Sequence, residues 1–257
     1  MDSTLMKGLR VLETLARSDE PRGVSELARE LELTRSNVHR TLQTLAAAGY
    51  ARQGAAGTYE CTLKLFELAS SVMERVDVKR CAEPHMRRLA ELTQETVHLS
   101  MLSGAEVVYL DKIESPQPVR AYSSIGGRAP AHCVASGKAL LAEVSDAALA
   151  EMFGPDLPQW TDRTIRTREK LVTELATVRE SGYAVNHGEW RSSVGGVAAV
   201  IVNAAGRAEA SIGVSGPIER VEPKSDDAYR DAVIEAARAI SQEMGCAAYP
   251  PPRASRS

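Results

Sequence analysis

The first fifty residues place their apolar side chains at the spacing of three short amphipathic helices. The apolar stripes are Leu5, Leu9, Leu12 and Ala16 in the first helix, Val24, Leu27, Ala28 and Leu31 in the second, and Val38, Leu42, Leu45 and Ala46 in the third. We predict that Ser25 and Thr34 cap the second and third helices and that Gly49 ends the third. Because only residues 32–34 separate the last two helices, the pattern predicts a helix-turn-helix.

A short hairpin is predicted directly after the third helix. The runs Tyr50 to Arg52 and Thr58 to Thr62 are strand-like, and the intervening QGAAG carries two glycines that suit a tight turn. A helix-turn-helix followed by such a hairpin, or wing, is the layout of winged DNA-binding domains. In these domains the third helix enters the major groove.

The charge around the third helix supports double-stranded DNA as the partner. The whole chain has a net charge of −3, but residues 33–59 contain three arginines and no acid. DNA carries one negative charge per ~1.7 Å of its axis, so a carboxylate on the inserted face would be repelled. We predict DNA contacts from Ser25, Arg35, Ser36, Asn37, Arg40, Gln43 and Arg52.

Residues 63–77 predict a linker helix, after a DNA-binding domain of residues 1–62. The apolar side chains of LKLFELASSVMERV form a stripe that is broad for an isolated linker. Part of this helix therefore packs either against another subunit or against its own domain.

Residues 78–247 alternate helix and strand patterns. A helix at 81–93 precedes three strand-like runs, VHLSML, EVVYLDKI and VRAYSS; after three helices come the runs YAVNH, GVAAVIVN and ASIGVSG, and a last helix runs from near Ser225 to Gly245. Strands in the middle with helices at both ends indicate an α+β domain with an antiparallel sheet. Residues 248–257, rich in Pro, Ser and Arg, predict a disordered tail.

Composition and motifs exclude several other classes of protein. No apolar run is long enough for a membrane span and no secretion signal is recognisable, so we expect a cytoplasmic protein without a membrane partner. The four cysteines lack metal-ligand spacing, and no histidine pair has helical ligand spacing, so no metal site is expected.

Two segments resemble catalytic motifs but do not match them. The SGKA segment lacks the features of a phosphate loop, since His132 stands where its first glycine would be and Ala139 follows the lysine. The GVSG segment is one residue short of a nucleophile elbow. We therefore predict no catalytic residues and no cofactor.

Three loops of the second domain are rich in small and polar residues. They read IGGRAPAHCVASGK, NHGEWRSSVGG and GVSGP. Small residues let a compact ligand approach the backbone, and the SGK segment at a helix start presents N–H groups to an anion. A small carboxylate fits this pattern; the alternative is that the glycines serve only turns.

The chain as a whole resembles transcription regulators of the IclR family. The resemblance is carried by SNVHRTLQTLAAAGYA, ETVHLSML, the segment from GGRAPAH to ASGKALLAE, SGYAVNHGEW, GGVAAVIVN and ASIGVSGPIER. It implies a winged helix-turn-helix, a linker helix and a GAF-like effector-binding domain. It also implies a homodimer or dimer of dimers that binds a palindromic operator and represses or activates transcription.

The resemblance also implies site residues. Arg35, Asn37 and Arg40, with Ser36 among them, stand where the family's third helix contacts DNA. The family's effector pocket corresponds here to Ala135, Ser136, Asn186, Gly196, Gly213 and Ser215. Thr34 replaces a proline that is common at its position, Asn186 replaces an aspartate of some members, and Gly196 and Gly213 replace larger residues, which indicates a ligand bulkier than the smallest keto acids.

The sequence therefore predicts a DNA-binding transcriptional regulator that responds to a small carboxylic acid. Two alternatives use Cys133: a GAF-like enzyme in which this thiol, near His132, is a nucleophile, and a thiol redox sensor. The identity of the effector and the sign of regulation stay open.

Overall fold

The chain folds into two compact units, residues 1–76 and 77–257. In the computed structural model, residues 3–54, 57–73, 77–225, 227–247 and 249 are described. Each unit is presented separately below.

The first unit is built on three helices and a short hairpin. The helices are α1 (Ser3–Ala16), α2 (Val24–Glu30) and α3 (Arg35–Ala47). Their shared core contains Val11, Leu15, Leu27, Val38 and Leu42. The stripe predicted for the first helix is therefore wrong in part, because Leu5 and Leu9 are exposed and the buried positions are Val11 and Leu15.

The turn of the helix-turn-helix is held by local hydrogen bonds. The side chain of Thr34 accepts a hydrogen bond from the backbone N–H of Asn37, so its predicted role as the cap of α3 is confirmed. Gly49 follows α3 with a φ of +80°, a left-handed conformation that favours glycine. The cap predicted for α2 is wrong: Gly23 occupies the N-cap, and Ser25 lies inside the helix.

The predicted wing is present as two antiparallel strands, β1 (Ala51–Gln53) and β2 (Tyr59–Cys61). The backbone of Arg22 extends this hairpin through two hydrogen bonds of 2.8 Å with Tyr59. Ala55 and Ala56, in the predicted turn, lie outside the described residues. Within the predicted linker, α4 covers Lys64–Met73.

The second unit is built on a six-stranded sheet in which all neighbouring strands are antiparallel, as the sequence predicted. The strand order is β5-β4-β3-β8-β7-β6. The strands are β3 (Thr96–Ser103), β4 (Glu106–Ile113), β5 (Arg128–Pro130), β6 (Ala184–His187), β7 (Val194–Val202) and β8 (Ala208–Pro217). The helices are α5 (Asp77–Thr93), α6 (Ala135–Leu141), α7 (Asp146–Met152), α8 (Arg168–Ser181), α9 (Ile218–Val221) and α10 (Ala228–Glu243).

Helices cover both faces of this sheet. Ala198, Val200 and Val202 of β7 share a core with residues of α6 and α8, including Leu141 and Leu171. Because side chains alternate along a strand, the residues between them face the other side, where α5 and α10 pack. The sheet is buried on both faces, which explains the nearly continuous apolar run in β7.

One predicted strand is absent. The run VRAYSS at 119–124 is a loop, and the strand next to β4 is instead formed by residues 128–130. Gly126, with a φ of +77°, makes the turn that leads into β5, and its N–H donates to the carbonyl of Tyr109. Prolines at 116 and 118 precede the loop and favour an irregular course.

The end of the chain differs from its prediction at one residue. Of the tail expected to be disordered, residues 248 and 250–257 lie outside the described residues. Tyr249 packs against the core of the second unit and donates a hydrogen bond of 2.7 Å to the carbonyl of Val200. Among the described residues, no helix combines the length and apolar character needed to cross a membrane.

Candidate functional site

The outer face of α3 presents polar and basic side chains to solvent. Arg35, Ser36, Arg40 and Gln43 are exposed, whereas Val38 and Leu42 hold the opposite face in the core. Ser36, Arg40 and Gln43 follow the spacing of one helical face. The structure thus brings these predicted residues together on one surface, which carries no acidic side chain between residues 35 and 47.

Two contacts order the start of this surface. The Arg40 guanidinium donates a hydrogen bond of 3.2 Å to the side-chain oxygen of Asn37, which is half-buried. The hydroxyls of Thr34 and Ser36 lie 3.2 Å apart. A base or phosphate would therefore meet a partly prearranged set of donors.

The other two predicted contacts lie beside α3 rather than on it. Ser25 is exposed on α2. Arg52 is exposed on the wing, but its Nε lies 2.8 Å from a carboxylate oxygen of Glu60 on the paired strand. Since this carboxylate offsets the charge of Arg52, a phosphate would have to compete with it.

The sequence analysis missed one residue of this surface. His39 is exposed on the outer side of α3. Its spacing of three from Ser36 and four from Gln43 would have identified it.

In the second unit, a cavity lies between the sheet, the start of α6 and two loops; we call it the sheet cavity. Its volume, counted as the space open to the centres of water-sized spheres, is about 50 Å³, and it opens to solvent at one side. Its lining contains all six residues predicted for the effector pocket: Ala135, Ser136, Asn186, Gly196, Gly213 and Ser215. The lining also contains residues that the sequence analysis missed, among them His98, Tyr109, Tyr122, Ser123, Trp190 and Arg191.

Strand register explains how distant residues meet here. Asn186, Gly196 and Ser215 are direct cross-strand neighbours on β6, β7 and β8. Two residues further along, and so on the same face, Gly213 pairs with His98 of β3. These positions are scattered over more than a hundred residues of sequence, and only the pairing of the sheet joins them.

His98 is the central polar group of the cavity floor. Its Nε2 lies 2.6 Å from the hydroxyl of Ser123, and its Nδ1 lies 3.3 Å from the hydroxyl of Ser215. Burial, together with the nearby charge of Lys112, lowers the pKa of His98 to about 4. The imidazole is therefore neutral near pH 7, with one nitrogen donating and the other accepting.

Asn186 lines the sheet cavity, and its side chain also holds the loop that follows β6. Its side-chain oxygen accepts hydrogen bonds from the N–H groups of Gly188 and Glu189, and its amide nitrogen donates to the carbonyl of Val194. Most of its hydrogen-bonding capacity therefore fixes the loop between β6 and β7. One amide N–H at most is left for a ligand.

Two glycines of the sheet, Gly196 and Gly213, line the cavity and are also required by close packing between strands. A Cβ on Gly213 would lie 2.6 Å from the Cβ of Ala198, so the expectation that this glycine leaves space for a ligand is wrong. At Gly196 the nearest atom to a Cβ would be the carbonyl oxygen of Val214 at 3.1 Å, which is tight but less severe.

The loop between β6 and β7 brings two large side chains to the cavity. Trp190 and Arg191 both line it, and the guanidinium carbon of Arg191 lies 4.5 Å from the centre of the Trp190 ring. This is the geometry of a cation–π contact. Among the lining residues, Arg191 is the one with a permanent positive charge.

Cys133 is poorly suited to the two alternative functions. Its side chain is fully buried, and this burial raises the pKa of the thiol to about 12. Since the thiolate is the form that attacks substrates or oxidants, such a thiol is unreactive near pH 7. Within the described part of the chain, no group of three or more His, Cys, Asp and Glu side chains could hold a metal ion.

Comparisons with known proteins agree for both units. The family model for the IclR helix-turn-helix domain matches residues 4–55, and the model for the bacterial transcriptional regulator IclR C-terminal domain matches residues 70–242. The chain is 36% identical over 250 residues to the HTH-type transcriptional regulator KdgR of Escherichia coli, covering 96% of this chain and 95% of KdgR.

Solved structures show the same architecture. The IclR protein of Thermotoga maritima superposes with a TM-score of 0.76 at 29% identity, over 95% of this chain and all of that one. An IclR homologue from Microbacterium hydrocarbonoxydans, crystallised with 4-hydroxybenzoate, superposes with a TM-score of 0.81 at 27% identity, over 94% of this chain and 99% of the other.

Proposed function

The chain belongs to the IclR family of bacterial transcriptional regulators, and we propose that a small carboxylic acid, bound in the sheet cavity, changes its affinity for DNA. It is a ligand-responsive DNA-binding regulator rather than an enzyme. We also propose that this DNA-binding regulator acts in the cytoplasm.

The residues that line the sheet cavity support the proposal that the effector is a carboxylic acid. Its lining combines hydroxyl groups from Ser123, Ser136 and Ser215 with one arginine and no carboxylate. A carboxylate effector would meet donors without repulsion. The start of α6, at Ala135 and Ser136, adds backbone N–H groups that have no partner within a helix.

An aromatic acid is compatible with the cavity walls. Tyr109, Tyr122 and Trp190 line it, and aromatic side chains favour stacked or edge-on contacts with another ring. The homologue from Microbacterium hydrocarbonoxydans binds 4-hydroxybenzoate, a molecule of this class. We therefore include aromatic acids among the expected effectors.

The proposal is tested by calorimetry of the full-length protein with a panel of organic acids. The panel contains pyruvate, benzoate and 4-hydroxybenzoate, with sugars and amines of similar size as controls. We expect binding to at least one class of acid, and loss of that binding in Ser136→Tyr, which would fill the cavity. Binding only to the sugars or amines would contradict an acidic effector, and unchanged acid binding in Ser136→Tyr would place the site elsewhere.

We further propose that α3 reads a palindromic operator as part of a homodimer or a dimer of dimers. One winged domain reads only half of such a site, and twofold symmetry matches half-sites separated by one helical turn, roughly 34 Å, or a multiple of it. The proposal is supported by Leu63, Phe66 and Leu68 at and near the start of α4, which are 76%, 70% and 47% exposed and could pack against a second subunit. Light scattering that showed a monomer at micromolar concentration, with DNA binding intact, would contradict it.

A further inference from the structure

The loop between β6 and β7, residues 188–193, holds a cation at the mouth of the sheet cavity. Arg191 is exposed there and forms no ion pair with any residue in the described part of the chain. Many other cations of this unit are paired; Arg128 with Glu106 and Arg220 with Glu95 are examples. The charge of Arg191 is therefore available to a molecule that enters the cavity.

The charge of Arg191 also acts on the cavity wall. Burial raises the pKa of Tyr109 to about 12, and the charge of Arg191 opposes this rise because it favours the phenolate. Tyr109 and Arg191 line the same cavity, so a negative group that enters it would meet this cation. No Asp or Glu appears in the lining to cancel it.

The orientation of Arg191 is restricted by its neighbour. Its guanidinium lies over the ring of Trp190, with 4.5 Å between the guanidinium carbon and the ring centre. A guanidinium in a cation–π contact still has N–H groups to donate, and its planar fork matches the two oxygens of a carboxylate. Lysine would supply the charge but not this geometry.

The loop that carries these two residues is fastened by buried groups. Glu189 is almost fully buried and lies 2.7 Å from the ammonium of Lys138, which is fully buried on α6. The other carboxylate oxygen of Glu189 accepts from the N–H of His187. The hydroxyls of Thr161 and Thr164 donate to the carbonyls of Gly188 and Glu189, at 2.8 and 2.6 Å.

We propose that Arg191 selects anionic effectors, with Trp190 orienting its guanidinium and the Lys138–Glu189 pair holding both in place. This inference rests on the proposed function, since it assumes that the sheet cavity is the effector site. Arg191 binds the carboxylate directly, whereas Lys138 and Glu189 are positioning residues. The proposal adds a contact from the β6–β7 loop to those expected from the start of α6.

The first test needs no knowledge of the effector. The chain has two tryptophans, and Trp160→Phe, at a half-exposed position, leaves Trp190 as the fluorescent reporter beside Arg191. Quenching by iodide is compared with quenching by neutral acrylamide at a constant ionic strength of about 0.1 M, where charges act over roughly 10 Å. In Arg191→Gln we expect the iodide quenching constant to fall by about twofold, because the local attraction for anions is lost, and the acrylamide constant to stay unchanged.

Two further variants serve as matched comparisons. Arg207→Gln removes an exposed arginine that is absent from the cavity lining, and should leave both constants unchanged. Arg191→Lys keeps the charge and should keep the iodide constant.

A third variant, Glu189→Gln, tests the buried ion pair. We expect its iodide-to-acrylamide ratio to fall as the loop loses its anchor, although the charge of Arg191 is intact. Equal iodide quenching in Arg191→Gln and the parent would overturn the role of Arg191, and an unchanged ratio in Glu189→Gln would overturn that of the ion pair.

The second test separates this inference from the proposed function. Calorimetry compares each acid with its neutral amide, such as benzoate with benzamide and pyruvate with pyruvamide. We expect a preference for the acid that is lost in Arg191→Gln and weakened in Arg191→Lys. An acid preference that persists in Arg191→Gln would overturn the selection by Arg191 but leave the acidic effector standing. A third outcome is that the parent protein binds no acid but binds neutral or cationic molecules, and loses that binding in Ser136→Tyr. This result would contradict both the acidic effector and the selection by Arg191.

Discussion

The outer face of α3 and the sheet cavity are built in opposite ways. The polar residues of α3 come from a single run of thirteen residues, and one helix of ordinary geometry is enough to align them. The cavity takes its lining from five strands, from loops between residues 98 and 215, and from α6. A surface made by one element depends on local periodicity, whereas a cavity depends on register, loop anchoring and the burial of charge.

This difference predicts that substitutions in the two regions fail in different ways. On α3, a change of an exposed side chain should alter DNA binding and leave folding intact. Around the cavity, many residues support one another, so changes should also affect stability. The four predictions below test this contrast, from the largest expected effect to the smallest.

The largest effect is expected for Lys138→Met. The ammonium of Lys138 is fully buried between Glu189, at 2.7 Å, and Glu174, at 2.9 Å. Its removal leaves the buried carboxylate of Glu189 without its partner, which costs about 3 to 5 kcal/mol of unfolding free energy. Urea denaturation measures this loss.

The double variant Lys138→Met, Glu189→Gln provides the control. It removes both charges of the closest pair, so we expect it to be clearly more stable than Lys138→Met alone. If the two variants were equally unstable, the buried charge would not be the cause, and the contrast with α3 would lose its electrostatic basis.

The second prediction concerns His98 and acid pH. Because the pKa of His98 is lowered from its usual 6.5 to about 4 in the folded protein, the unfolded chain binds a proton more readily. The contribution of His98 to the unfolding free energy is therefore fully present above pH 6.5. It is lost as the pH drops from 6.5 to 4, and the loss amounts to roughly 3 kcal/mol. Urea denaturation at several pH values measures the slope.

The variant His98→Asn isolates the contribution of this histidine. It cannot take up the proton, so its stability should decrease less steeply than that of the parent between pH 6.5 and 4. Identical slopes would show that the neutral imidazole between Ser123 and Ser215 does not govern the response.

Third, Arg40→Ala should weaken operator binding while the unfolding free energy stays nearly constant. A direct contact with a base edge is worth ~1 to 3 kcal/mol, and a phosphate contact would reduce the salt dependence of binding by about one charge. Fluorescence anisotropy at several salt concentrations distinguishes the two. We expect Gln43→Ala, on the same face, to have a milder effect, and an Arg40→Ala protein with unchanged affinity and salt slope would remove α3 as the reading helix.

The smallest effect is expected on the wing. Arg52 pairs with Glu60 at the surface, and exposed pairs of this kind contribute about 0 to 1 kcal/mol. We predict that Glu60→Gln strengthens DNA binding slightly, because Arg52 no longer shares its charge, and that Arg52→Ala weakens it slightly. Anisotropy titrations at low salt would reveal both changes; weaker binding in Glu60→Gln would show that the pair is needed to orient Arg52.

The sequence by itself determined the features that depend on local periodicity and local capping. The three helices, the Thr34 cap, the wing and the antiparallel character of the sheet could be predicted, because apolar periodicity, capping residues and turn glycines are patterns among near neighbours in the sequence. The resemblance to the IclR family supplied the six cavity residues that spacing alone did not connect, and the structure places all six around one cavity.

Only the tertiary structure decided which polar groups are available to a ligand. Asn186 makes most of its side-chain hydrogen bonds within its own loop, and Gly213 has no space for a side chain. Residues 119–124 do not extend the sheet, and residues 121–123 among them line the cavity. The sequence likewise did not show the buried pair of Lys138 and Glu189, or that Arg191 has no ion-pair partner among the residues that the structure describes. Such properties depend on burial and on partners distant along the chain, which no local pattern of residues specifies.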